Sequence, residues 1–135
     1  MSNIVPERSQ ESNIACVRFA SVKSLGLVPT TPYATPASAE NRDAIRNLIA
    51  EHDAIMLANH GSLTVAGSVW DAYLRLETLE HSAKTLFMAA QLGGPRELPA
   101  HQVQKLLALR HHLGLERPGD PMRFAEALGL QGEAL

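Results

Sequence analysis

The stretch Ala54-Ile-Met-Leu-Ala-Asn-His60-Gly61-Ser-Leu-Thr-Val-Ala-Gly67 constrains this chain more than any other. The unbroken apolar run from Ala54 to Leu57 suits a strand covered on both faces, because a half-solvated strand would alternate apolar with polar residues. Beyond the polar corner the pattern changes. Leu63 and Val65 fall on one face and Ser62 and Thr64 on the other, the period of a half-exposed strand. Two strands therefore meet at Asn59-His60-Gly61, with glycine expected to let the backbone turn sharply and approach a ligand. Whatever the chain does is expected to happen near these three residues.

Around this pair the sequence reads as one domain, since 135 residues are enough to bury roughly two-thirds of the surface of the unfolded chain. Residues 1–24 form a flexible or weakly structured lead-in, within which Ile14 to Val22 is apolar enough for a strand or a short helix. Residues 25–135 form the domain. Pro29-Thr-Thr-Pro32-Tyr33-Ala-Thr-Pro36 is an extended loop, because each proline fixes its own φ and biases the residue before it away from helix. Ser38 caps a helix through about His52 that buries Ile45, Leu48 and Ile49. Ser68 and Asp71 open the longest helix, which Gly93, Gly94 and Pro95 stop. Along it Ala72, Leu76, Leu79, Ala83, Leu86 and Ala90 form one seam, read as core with a subunit contact as the rival. Pro99, as first helical residue, opens a helix with Val103, Leu106, Leu107 and Leu113 inward. Asp120 caps a last short helix closed by Gly129. This order predicts an α/β fold with helices packed on a small sheet.

Twelve basic against fourteen acidic residues give a net charge of −2, which leaves no basic footprint for nucleic acid. No apolar run approaches the roughly 20 residues needed to span a bilayer, and the start of the chain lacks a signal peptide pattern. No membrane partner and a cytoplasmic location are the expectations. The single Cys16 cannot form an internal disulfide, in keeping with a reducing compartment.

Of the six histidines, His52 closes a helix where the dipole favours an imidazolium, His81 flanks the long helix, and His101, His111 and His112 sit near the ends of another. No H-E-x-x-H and no Cys/His pair at zinc spacing is present. His60 stands apart because it occupies a strand corner before glycine; the competing reading is an ordinary hairpin histidine. Tyr33 is a second candidate, held by the proline-rich loop, against the reading of an anchor packed on the core. No nucleophile elbow, phosphate loop or matched pair of acids is visible.

Three segments carry a family resemblance: Val28-Pro-Thr-Thr-Pro-Tyr33-Ala-Thr-Pro-Ala-Ser38, Met56-Leu-Ala-Asn-His60-Gly61 and Leu79-Glu80-His81-Ser-Ala83. In this order they resemble the C-terminal half of the class II aldolase/adducin family, L-fuculose-phosphate aldolase being its type member, over residues 25 to 115. The resemblance implies a three-layer α/β/α fold around a small, mostly antiparallel sheet, here truncated. It also implies tetramers with active sites between subunits, and zinc-dependent retro-aldol cleavage of a sugar phosphate, with epimerases and dehydratases using the same site. The family's third zinc-binding histidine falls on His60, with Tyr33, Asn59 and Gly61 as further site candidates.

The family's H-x-H pair and acidic base have no counterpart; the first 24 residues contain no histidine. Ala37 stands where the family commonly has glycine. The resemblance thus implies a lyase-type domain with an incomplete zinc site, inactive alone and assembled as a homo-oligomer. The alternatives are a non-catalytic interaction module like that of adducin, and a small binding domain with unrelated chemistry at His60 and Tyr33.

Overall fold

The computed structural model describes residues 22–96 and 98–127. Its elements are α1 (Val22–Leu25), α2 (Ala39–Ile49), β1 (Ala54–Leu57), β2 (Gly61–Thr64), α3 (Val69–Gln91), α4 (Ala100–His112) and α5 (Asp120–Ala127). The expected lead-in therefore lies outside the described residues except for its last turn, where Val22 opens α1. The expected stop at Gly129 also lies outside them.

β1 and β2 pair antiparallel in the register Ala54↔Thr64 through Leu57↔Gly61, the pairing the patterning of the stretch requires. Val65 N–H continues the ladder to the Asp53 carbonyl at 2.9 Å. On the other side of β1 the proline loop runs parallel for one bridge, Thr30↔Met56. The Met56 N–H donates to the Pro29 carbonyl at 2.8 Å and the Thr31 N–H to the Met56 carbonyl at 2.8 Å. Prolines flank this bridge at 29 and 32, where their missing N–H groups cost the ladder nothing. The architecture is a mixture of helix and strand around a two-stranded antiparallel sheet.

The capping chemistry of α2 and α3 is as the sequence requires, whereas Asp120, expected to cap α5, is its first residue. Ser38 Oγ accepts the Asn41 N–H at 3.0 Å and Ser68 Oγ the Asp71 N–H at 3.1 Å, satisfying donors that a helix start leaves open. Pro99 is displaced by one position from expectation. It is the N-cap of α4 rather than its first residue, and its carbonyl accepts from Gln102 and Val103.

Burial departs further from the sequence reading. Leu25, Val28, Ala54 and Leu79 form one core cluster with Met56 against it, and Val22 and Phe124 form a second with Leu27, Leu106 and Leu107. α1 thus contributes to both. Of the expected seam on α3 only Leu79 is fully buried, while Ala83 and Ala90 are exposed. The proximal turns of α3 rest on the sheet and α1; along the distal turns Phe87, Met88 and Leu92 are exposed. Leu113, expected inward, is 50% exposed and lies just past the end of α4. α2 has no fully buried residue; Ile45, Leu48 and Ile49 are half-buried. No helix among the described residues is long and apolar enough to cross a membrane.

Ala37 adopts φ +64°, a left-handed conformation that costs a residue with a Cβ about 1–2 kcal/mol. Glycine avoids this but loses about 0.5–1 kcal/mol to its greater freedom when unfolded. Ala37→Gly is therefore expected to stabilise the chain by about 0.5–1 kcal/mol, read from the urea midpoint at unchanged slope. An unchanged or lowered midpoint would show that the loop carries no strain there.

Candidate functional site

The corner between β1 and β2 is a tight turn in which the His60 N–H returns to the Leu57 carbonyl at 3.0 Å. Its left-handed residue is Asn59, at φ +54°, a conformation that asparagine tolerates better than most residues. Gly61, expected to make the sharp turn, instead opens β2 with no positive φ. Nothing lies within 4 Å of where its Cβ would stand. The backbone beside His60 is thus open, while the turn itself is the work of Asn59. Asn59, His60 and Gly61 are all exposed.

The proline loop is fixed against this corner from behind. Thr31 is 4% exposed, and besides its backbone bond to Met56 its Oγ1 accepts the Ala58 N–H at 3.4 Å. Two residues beyond it, Tyr33 is 58% exposed, so it is not the core anchor that the structural reading of this loop expected. The buried residue there is Ala34. The loop and hairpin motifs are therefore brought side by side, through Thr31 and Ala58. The third motif joins them from below, because Leu79 packs in the same cluster as Val28 and Ala54. Glu80 and His81 remain on the exposed face of α3.

Sequence reasoning missed the polar centre behind β1. Asp53 is 2% exposed and pairs with Arg75 Nη1 at 2.9 Å and Arg110 Nη2 at 3.4 Å. Arg110, 1% exposed, also donates from Nε to Asp120 Oδ2 at 2.9 Å and from Nη1 to the Lys23 and Ser24 carbonyls. Those carbonyls end α1, where a cation is favoured. The guanidinium fits only because residue 26 lacks a side chain: a Cβ on Gly26, at φ +71°, would stand 2.9 Å from Arg110 Nη2. One signal was available in the sequence. Arg110 lies seven residues after Val103, hence on the buried stripe of α4.

His52 needs correction as well. It is not a solvated imidazolium at a helix end but 7% exposed, with Nδ1 3.2 Å from the Leu27 carbonyl. Burial holds its pKa below the ordinary value of 6.5, against the raising effect of that hydrogen bond.

The sequence profile of the class II aldolase and adducin N-terminal domain family matches residues 3–87, a span that contains all three motifs. The chain belongs to the class II aldolase/adducin family. The profile starts earlier than the resemblance over residues 25 to 115 and ends within α3, so α4 and α5 lie beyond it. A curated relative, 3-oxo-tetronate 4-phosphate decarboxylase of Escherichia coli K12, is 34% identical over 67 residues, which are 50% of this chain and 32% of the relative. The 5-deoxy-D-ribulose 1-phosphate aldolase of Bacillus thuringiensis is 28% identical over 79 residues, 58% of this chain and 37% of the relative. The crystal structure of Escherichia coli YgbL, proposed to be an aldolase, epimerase or decarboxylase, superposes with a TM-score of 0.58 at 29% identity, over 66% of this chain and 42% of that one. The class II aldolase-like chain thus spans about a third of the curated relatives it matches.

Proposed function

We propose that this chain contributes the His60 corner of a class II aldolase-type site, with His60 as one metal ligand and Tyr33, Asn59 and Gly61 bordering the substrate. The reading is carried by one observation: His60 is exposed at a corner whose backbone is fixed by the loop bearing Tyr33, through Thr31 and Ala58. Both curated relatives are named for phosphorylated substrates and for reactions that break a carbon–carbon bond. The substrate class proposed here is accordingly a phosphorylated keto sugar or keto acid, and the reaction class is carbon–carbon cleavage.

The described residues do not fit a complete zinc centre. Among them no three of His, Cys, Asp and Glu stand together as a metal site, whereas catalytic zinc takes about three protein ligands. On this reading the remaining ligands and the general base come from outside the described residues, a second polypeptide included. Completing the three-layer α/β/α arrangement is part of the same proposal, as are homo-oligomerisation and a cytoplasmic location.

Elemental analysis of the purified chain tests this reading. The expected result is zinc well below one equivalent per chain, with no cleavage of sugar phosphates. One full equivalent, lost in His60→Ala, would overturn the incompleteness of the site. A second reading, a non-catalytic interaction module like that of adducin, is favoured by the exposed Phe87 and Met88 on α3 and Leu92 just past its end. It predicts that His60→Ala leaves assembly unaltered and that no added polypeptide restores cleavage.

A further inference from the structure

α5 and the turn before it are tied to the end of α2 by few groups, and a buried histidine lies among them. Arg123 Nη1 donates to Glu51 Oε2 at 3.3 Å, and its Nη2 to the Glu51 carbonyl at 3.2 Å and to Asp120 Oδ1 at 2.9 Å. Arg117 Nη2 donates to the Ile49 and Ala50 carbonyls at 3.4 and 2.9 Å. His52 follows directly. Because a carbonyl can only accept, the bond to Leu27 assigns the ring proton to Nδ1 and leaves Nε2 a bare acceptor. Beside the ring is a cavity of about 290 Å³, walled by Leu27, Val28 and Pro29 on one side and by Arg123, Glu126 and Ala127 of α5 on the other.

The charged groups around the imidazole are Glu51 on its own segment and Asp120, Arg123 and Glu126 on α5. Asp53, the next residue, is occupied by Arg75 and Arg110. The α1 side presents the Leu27 carbonyl and apolar walls. A proton on Nε2 would thus place a second cation beside Arg123 on a ring that is itself buried, and burial is the largest influence against it.

We infer that His52 makes α5 a proton-sensitive latch, docked on the α2–β1 loop while the imidazole is neutral and loosened when Nε2 takes up a proton. Linkage gives the direction. With its pKa lowered in the docked state, the ring binds more proton when undocked, so docking is unaffected well above pH 6.5 and weakens as pH falls below it. Asp120 does not produce this change. Burial would raise its carboxyl, but the Arg117 amide and the Arg110 and Arg123 guanidiniums outweigh burial and hold it below its usual value, so it stays ionised in this window.

Amide hydrogen exchange of the full chain, corrected for intrinsic rates, tests the latch between about pH 7.5 and about pH 5. The exchange-competent population of residues 117–127 is expected to rise about tenfold for each unit by which the ring pKa is held down, while β1 and β2 keep their protection. His52→Gln, which retains a donor for the Leu27 carbonyl but cannot titrate, should abolish the rise, and His111→Gln should leave it intact. Equal protection at both pH values, or a rise that survives in His52→Gln, would overturn the latch. Should His52→Gln fail to fold, NMR titration of the wild type decides. α5 amide shifts that follow the His52 midpoint support the latch, and shifts that follow another histidine refute it.

Discussion

Arg110→Ala is expected to destabilise the fold by about 3–5 kcal/mol, the cost of removing one partner from a buried ionic cluster. The change strips Asp120 of its 2.9 Å bond from Nε and Asp53 of one of its two closest cations, while both carboxylates stay buried. It also removes a donor shared by the Lys23 and Ser24 carbonyls. Since domains of this size are stable by only about 5–15 kcal/mol, much of the population should unfold near physiological temperature. Urea denaturation followed by far-UV circular dichroism measures the effect. Arg110→Lys should lose part of this, because an ammonium cannot span two carboxylates and two carbonyls as the guanidinium fork does. A loss below about 1 kcal/mol in the alanine variant would mean that Arg75, Arg117 and Arg123 suffice for both acids.

Phe124→Ala is expected to cost about 3–5 kcal/mol through lost burial and the cavity left behind. The ring is fully buried against Val22, with Leu27, Leu106, Leu107 and Ala127 around it, so it joins α1, α4 and α5 in one cluster. Phe124→Leu keeps most of the volume and should cost less than about 1.5 kcal/mol. The measurement is again the urea midpoint, with exchange protection of residues 117–127 read alongside. If the alanine variant kept both its midpoint and that protection, the ring would not be what holds α5 to α1 and α4.

Much of the local structure is legible in the sequence because its causes are local. The hairpin follows from the change of hydrophobic period at Asn59-His60-Gly61, α2 and α3 from the Ser38 and Ser68 caps, and the end of α3 from Gly93 and Gly94. The family, too, is carried by short contiguous motifs. What local pattern misassigned is burial. Tyr33, Leu113 and the distal seam of α3 are apolar or aromatic, yet little in the fold reaches them. His52 and Arg110 are polar, yet the tertiary structure encloses them.

At the His60 corner the sequence by itself determined a histidine at a turn between two strands, and pointed to the class II aldolase/adducin family; the histidine's role as a metal ligand belongs to the proposal. Only the tertiary structure showed that Asn59 rather than Gly61 makes the turn, that Thr31 brings the proline loop to its back, and that no group of three possible metal ligands stands together among the described residues. The reason is physical. A turn and a strand are written in neighbouring residues, whereas a metal site and a buried ionic centre such as Asp53, Arg110 and Asp120 depend on side chains that meet only when distant segments pack.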